Sequence, residues 1–420
     1  MTQLAPVTAS ERLETLDVLR GFALLGILAM NVRAMAAPFS AYMYPYALFD
    51  YTGASRAAYM FTSIVFDLKM MGLFSMLFGA GVLLYAAKPT ATGKPPRGLW
   101  FKRMFWLLVI GLVHAYLIWD GDILVPYALC GIILLWWVRR LPAWALMAGA
   151  AGLLAIGALM SIGHGFAFQS MEEAQRAQEL QMWMPTREQA GAQLARLHGG
   201  YFEIVAYRAP FVFMGETFFF LMFFLWRCGG MMLLGMALHK MGFLDGSRPD
   251  RVYTLAASVC IPAGLALAAY GVVELERVRF GMPDRTALDL WNYAGAVLAS
   301  VGYAAALILL VKRGVLGPIR SALAAVGQMA FSNYLLQSVI ASIVFLGWGF
   351  GLAGRLDYAQ QLLFVAAVWA LQLAVSPVWL RQYRFGPAEW LWRSLTYWRL
   401  QPMRRDTPQS PRLGGVAAGV

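Results

Sequence analysis

Ten runs of about twenty apolar residues recur along the chain, and this repetition limits the fold more than any motif does. Crossing the hydrocarbon core of a bilayer takes roughly 20 apolar residues in a helix, which satisfies its own backbone hydrogen bonds there. The runs fall at 16–37, 60–86, 103–119, 122–138, 141–163, 209–240, 251–273, 290–311, 321–346 and 360–380. The third and fourth are short and meet at Asp120-Gly121-Asp122, which predicts a tight hairpin. The sixth is long, so either Gly229-Gly230 bends it or it begins as an interfacial helix. The stretch 165–205 carries Glu172, Glu173, Arg176, Glu179, Arg187 and Glu188 among apolar residues and reads as an amphipathic segment on the outer surface. Aromatic residues at 390–398 suit an interfacial helix after the last span. The expected fold is therefore all-α. A tail over 1–15 precedes a polytopic membrane helix bundle over 16–380, and a tail over 381–420 follows it.

Composition supports this class. Hydrophobic residues make up 60% of the 420, and charged residues only 13%, about half the ~25% usual for soluble domains. A soluble enzyme, a secreted disulfide scaffold and a disordered chain are all excluded. Cys130, Cys228 and Cys260 lie far apart inside apolar runs and read as core residues rather than metal ligands. No Ala-x-Ala-type cleavage site follows the first run, so it is expected to be retained as a membrane helix.

The net charge of +12 invites a nucleic-acid partner, but the placement of the charges argues for a lipid bilayer. With the N-terminus inside and ten spans, 21 of the 34 Lys and Arg fall in inside segments and 9 in outside ones. Four lie within spans: Arg20, Arg33, Lys69 and Arg227. Short inside loops are thus enriched in cations, the pattern that sets topology. Both termini are expected in the cytoplasm of a bacterial-type inner membrane.

Charged groups in hydrocarbon are costly and need partners or a wet cavity. Asp17 and Arg20, spaced i, i+3, share a helix face and can pair. Asn31 and Arg33 close the first span, where Arg33 can snorkel to the headgroups. Asp67 and Lys69, at i, i+2, point to different faces of one helix and each calls for a partner elsewhere. His114, Asp120, Asp122, Arg33 and Glu216 sit at the same outer depth. These seven groups read either as one functional pocket or as an ion-pair network that orients the helices. His114 is the one histidine of four inside a span and near carboxylates, which suits a general base. Glu216 and Arg227 fall on nearly one helix face, about 16 Å apart, and can line one track. Asn333, Gln337 and Ser338 are weaker candidates, because amides also join membrane helices. No phosphate loop, nucleophile elbow or metal-ligand cluster is present.

The opening Leu16-Asp17-Val18-Leu19-Arg20-Gly21 through Asn31 resembles that of the YeiB-like membrane proteins, the family of domain of unknown function 418. So do Phe74-Ser75-Met76-Leu77-Phe78-Gly79, Gly111-Leu112-Val113-His114 with Gly121-Asp122-Ile123-Leu124, Ser332-Asn333-Tyr334-Leu335-Leu336-Gln337-Ser338, and Phe385-Gly386-Pro387-Ala388-Glu389-Trp390-Leu391-Trp392-Arg393. The resemblance spans roughly residues 10–400. The first helix is also distantly similar to that of heparan-α-glucosaminide N-acetyltransferase, which implies acyl transfer from cytoplasmic acetyl-CoA to an acceptor across the membrane. Broader membrane acyltransferases place a catalytic His after an Arg and ten further residues. Here Arg20 leads to Asn31 instead, and residues 34–59 hold no His.

The favoured expectation is an acyltransferase that uses acetyl-CoA or another acyl-CoA as co-substrate, without a metal. Arg20, Asp17, Lys102 and Arg103 would meet the donor inside. His114 would act as base, oriented by Asp122 or Asp67, with Asp120 nearby and Asn31 or Lys69 stabilising the oxyanion. Arg33, Glu216, Arg227, Asn333 and Gln337 would contact a small-molecule or glycan acceptor. A transporter of a small polar solute is the alternative, and a membrane scaffold or sensor is the third reading. No nucleic-acid partner is expected, and a homo-oligomer is left open.

Overall fold

The computed structural model describes residues 9–87, 97–315 and 317–405, with side chains from residue 14 onward. The side chains of Arg12, Lys88, Lys94 and Arg412 and the outer parts of both tails lie outside the described residues. Among those described, regular structure is helical, and the one β feature is an isolated bridge between Tyr383 and Arg404.

Eight helical segments of 21 to 40 residues are long and apolar enough to cross a bilayer. They are α1 (Ala9–Met35), the pair α3 (Gly53–Val65) and α4 (Lys69–Ala86), α5 (Arg97–Leu117), α7 (Ala143–Ser170), α10 (Tyr201–Lys240), α11 (Asp250–Arg277), α12 (Asp284–Lys312) and α15 (Tyr358–Gln382). A bent pair, α13 (Gly317–Gln328) and α14 (Ala330–Phe345), meets at 82° and makes a ninth. The shorter apolar α6 (Leu124–Val138) occupies the fourth run. Short helices α2 (Phe39–Met43), α8 (Glu173–Trp183), α9 (Arg187–Leu197) and α16 (Pro387–Tyr397) complete the chain. This is the architecture of a multi-pass membrane protein.

Several helices begin before their apolar runs, among them those starting at Gly53, Arg97, Tyr201 and Asp284. The sixth runs unbroken through Gly229-Gly230. Its irregularity is a π-helical segment over Gly215–Phe224. The polar stretch after α7 forms α8 and α9, and a reciprocal Thr186–Gln189 capping box starts α9.

α1 lies at the centre, with 78% of its most apolar window buried, against 17–22% for α7, α11 and α15. Those peripheral helices expose large apolar side chains such as Leu159, Leu255 and Leu363, as a lipid-facing surface requires. Close approach in the interior depends on glycine. A Cβ on Gly327 of α13 would lie 1.8 Å from the Asp17 carbonyl oxygen of α1. Gly79 and Gly235 seat α4 against α10 in the same way, each 2.0 Å from a facing backbone oxygen once given a Cβ. Small residues at such crossings let helix backbones touch where no hydrophobic force drives them together.

Contacts define two ends. At one, Arg20 reaches Gly327, Trp392 donates to the Arg103 carbonyl, and Lys312 pairs with Asp250. The first turns of α1 and the last helix, α16, share this basic end. At the far end Gly354 donates to Ala36, Arg285 to Met43, and Arg56 pairs with Glu276.

Candidate functional site

The buried polar residues do not form one pocket. Among the described residues they separate into three groups, which corrects the expectation of a single outer cluster. The physical reason is that each charge found a neutral amide, hydroxyl or carbonyl nearby, or a local counter-ion, before reaching the others.

The first group is built on the α5–α6 hairpin. Gly111 allows the start of α6 to press on α5: a Cβ there would sit 2.9 Å from the Val125 nitrogen. The chain turns through Gly121, whose missing side chain leaves room for the Trp119 ring. Asp122 then accepts from the Val125 amide at 2.7 Å, which fixes its carboxylate at the start of α6. Its other oxygen lies 2.7 Å from His114 Nδ1. On the opposite side of the ring, Nε2 lies 2.9 Å from Ser338 Oγ on α14. The Tyr334 ring, one turn earlier on α14, packs 5.1 Å from the imidazole centroid. His114, Asp122 and Ser338 are all buried. With a proton on Nδ1, facing the carboxylate, Nε2 can accept from the Ser338 hydroxyl, whose other acceptor is the Tyr334 carbonyl at 3.4 Å. A hydroxyl, an imidazole and a carboxylate stand in line, the order that activates an oxygen nucleophile or takes a proton from one. Glu216, in the π segment of α10, is close enough for its charge to interact with Asp122.

The second group surrounds the break between α3 and α4. Leu68 adopts a left-handed φ of 59°, so one helical period does not run through 67–69. Asp67 and Lys69 make no direct side-chain bond, as their spacing predicts, and each finds its partner on another helix. Asn292 of α12 bridges them, donating to Asp67 Oδ2 at 2.9 Å and accepting from Lys69 Nζ. Tyr42 donates to the other Asp67 oxygen at 3.0 Å. Burial and the neighbouring Asp67 charge push the Tyr42 hydroxyl well above its ordinary range. Lys69 also donates to the Ser63 carbonyl at 3.0 Å. Arg33 does not snorkel. It is 3% exposed, bonds to the Tyr59 carbonyl, Thr62 and Ser63, and lies 3.9 Å over the Tyr59 ring. These acceptors lie in the last two turns of α3 and hold the guanidinium inside the protein.

The third group faces the far end. Asp120 pairs with Arg208 at 3.2 Å and is turned away from His114. The pair lines a cavity of about 220 Å³ together with Ser40, Gln178, Gln181 and Gln193.

The remaining expected residues are spread out. Glu216 and Arg227 do not line one track, because the wider turns of the π segment shift the phase between them. Arg227 faces Tyr293 of α12 instead. Asn333 donates to Ser376 and the Val326 carbonyl, and Gln337 donates to Gln372, so both join α14 to α15. Among the described residues, Asn31 hydrogen-bonds to none of these groups. At the basic end Arg20 pairs with Asp17 at 2.8 Å, Arg103 stacks 3.5 Å over Trp392, and Lys102 is exposed. Sequence reasoning missed Asn292 and Tyr42, which carry no spacing signal, and ranked Ser338 low.

Two stretches that carry the family resemblance, Ser332–Ser338 and Phe385–Arg393, join in one structural device. Glu389 of α16 accepts from the Phe331 and Ser332 amides at 2.7 and 3.1 Å and from the Ser332 hydroxyl. It thereby caps α14, the helix that carries Ser338.

Known proteins similar to this chain match it over nearly its whole length. A family profile described as "Protein of unknown function (DUF418)" matches residues 238–399. The chain is 32% identical over 397 residues to the uncharacterized protein YeiB of Escherichia coli (strain K12), covering 92% of this chain and 96% of the relative. It is 30% identical over 422 residues to the uncharacterized protein YxaH of Bacillus subtilis (strain 168), covering 97% and 100%. An uncharacterized 39.9 kDa protein from Bacillus acidopullulyticus is 27% identical over 399 residues. With near-complete coverage of both partners at this identity, the chain belongs to the YeiB-like DUF418 family of multi-pass membrane proteins.

Proposed function

We propose that the protein is a membrane acyltransferase in which His114 acts as general base. The observation that carries this reading is the buried line Asp122–His114–Ser338, with the imidazole held by a carboxylate on Nδ1 and a hydroxyl at Nε2. Acyl-CoA docks at the basic end, which faces the cytoplasm of a bacterial inner membrane. Lys102 and Arg20 meet its phosphates. Arg103 and His114 share α5, about 16 Å apart along its axis at 1.5 Å per residue, within reach of an extended pantetheine arm. The acceptor, a small molecule or glycan, enters from the far end, where the Asp120–Arg208 cavity opens. Asp122 holds the tautomer, His114 takes the acceptor proton as the carbonyl is attacked, and the thiolate leaves.

The test is release of free CoA thiol from acetyl-CoA by proteoliposomes supplied with a cell-envelope extract as acceptor. His114→Ala should lower the rate about 10²–10⁴-fold, the usual weight of a positioned acid–base group. Full activity in that variant overturns the mechanism.

A transporter of a small polar solute is favoured by a separate observation. Two spans are broken, at Asp67-Leu68 and by the 82° bend at Met329, and discontinuous helices commonly form transporter binding sites. Solute uptake by proteoliposomes without acyl-CoA, unaffected by His114→Ala, would favour that reading.

A further inference from the structure

Arg227 is a fully buried cation with most of its bonding capacity unused. Its exposure is 0%. Nη1 donates to the Tyr293 carbonyl at 2.9 Å, and the guanidinium carbon lies 4.4 Å over the Tyr293 ring. Nε and Nη2 meet no acceptor among the described residues. Those two nitrogens form one edge of the guanidinium fork, the edge that grips a planar oxyanion with two parallel hydrogen bonds.

The surroundings are short of negative charge. Ion pairs among the described residues involve neither Arg227 nor Lys69 nor Arg33. Lys69 is close enough to Arg227 for the two cations to repel. Asp67 is the one carboxylate whose charge reaches both. Its oxygens are already occupied by Tyr42 and Asn292. Two buried cations thus share one carboxylate that bonds directly to neither. An uncompensated charge in a low-dielectric interior is strongly unfavourable unless something pairs with it.

We propose that α4, α10 and α12 enclose a binding site for a small planar monovalent oxyanion of the carboxylate or nitrate class. The anion lies against Nε and Nη2 of Arg227, and the Lys69 charge reinforces its hold. The site is separate from the His114 group, and the proposal does not rest on acyl transfer. The string Tyr42–Asp67–Asn292–Lys69 runs toward it from the far end.

The experiment is thermal unfolding of the full chain in detergent, in potassium formate, nitrate or chloride at equal ionic strength. Formate and nitrate should raise Tm saturably above chloride. Arg227→Met should abolish the difference. Arg227→Lys keeps the charge but loses the two-toothed edge, and should weaken the apparent affinity for formate at least tenfold. No planar-anion effect in the wild type overturns the proposal, as does an undiminished effect in either variant. If neither variant folds, radiolabelled formate binding to the wild type decides. One nitrate-displaceable site per chain supports the proposal, and none overturns it.

Discussion

Replacing Glu389 by alanine tests how α14, and with it Ser338, is held. The carboxylate accepts two backbone amides at the start of α14 and the Ser332 hydroxyl. Phe331 is buried and Ser332 is half-buried, so water replaces the lost acceptor poorly. An unsatisfied buried donor costs about 1–3 kcal/mol. Three such donors, partly relieved at the Ser332 side, put Glu389→Ala at about 3 kcal/mol of lost stability. Glu389→Gln keeps one acceptor oxygen but turns an NH2 toward the donors met by the other, and should cost about 1–2 kcal/mol.

The pH dependence distinguishes charge from hydrogen bonding. Burial raises the Glu389 carboxyl above its ordinary range, more than the three donors lower it. A folded-state value above the unfolded one means the unfolded chain releases this proton first. The associated stability is fully present below the unfolded value and is lost as pH rises through the folded one. Wild type should therefore lose stability over that window relative to Glu389→Gln, which has no proton to lose there. The assay is equilibrium unfolding by SDS titration in mixed micelles at several pH values, followed by tryptophan fluorescence. An alanine variant within about 0.5 kcal/mol of wild type would refute the reasoning, since that is the range of substitutions touching nothing.

Two further outcomes follow from packing and from the α3–α4 break. Gly235→Ala should cost about 1–3 kcal/mol, because its Cβ would sit 2.0 Å from the Met76 oxygen and force α4 from α10. Gly152→Ala, which meets nothing within 4 Å, should change stability by under about 1 kcal/mol in the same assay. Asn292→Leu should cost about 2–4 kcal/mol, since it strips partners from both Asp67 and Lys69. An Asn292→Leu protein as stable as wild type would show that the bridge carries no weight.

The fold was legible because hydrophobic length is local information, and each apolar run acquired a helix. His114 with Asp122 was legible for a related reason: the two are joined by a short hairpin marked by Gly121. Ser338 was not, because it reaches His114 from a helix 224 residues away, and a lone serine in an apolar run looks like helix packing. Asp67 and Lys69 were legible as poor partners that each need a group on another helix, but not the break at Leu68 nor the single amide, Asn292, that serves both. The Glu216–Arg227 track failed through a π segment that no residue pattern announces. Arg33 was placed by its position at the end of the first span, whereas the acceptors that hold it belong to α3, a helix its own neighbourhood in sequence does not reveal.

The three polar groups differ in how fully they are satisfied, and this separates their roles. In the His114 group both ring nitrogens and both Asp122 oxygens have partners. That line is closed on itself, although Glu216 Oε2 and the Tyr334 hydroxyl beside it meet no partner among the described residues, and chemistry there requires the hydroxyl at Nε2 to be exchanged for a substrate oxygen or nitrogen. Around Asp67 the neutral groups are matched, yet the cation count exceeds the carboxylates by at least one, since Lys69 and Arg227 share Asp67. Rearrangement of side chains within the group cannot remove that excess, because every rearrangement conserves charge. Only a proton leaving or an anion arriving can. Arg227 does not give up its proton under any ordinary condition; Lys69 can, but its neutralisation would still leave Nε and Nη2 of Arg227 without acceptors, so arrival of an oxyanion is the resolution that satisfies both the charge and the unused edge.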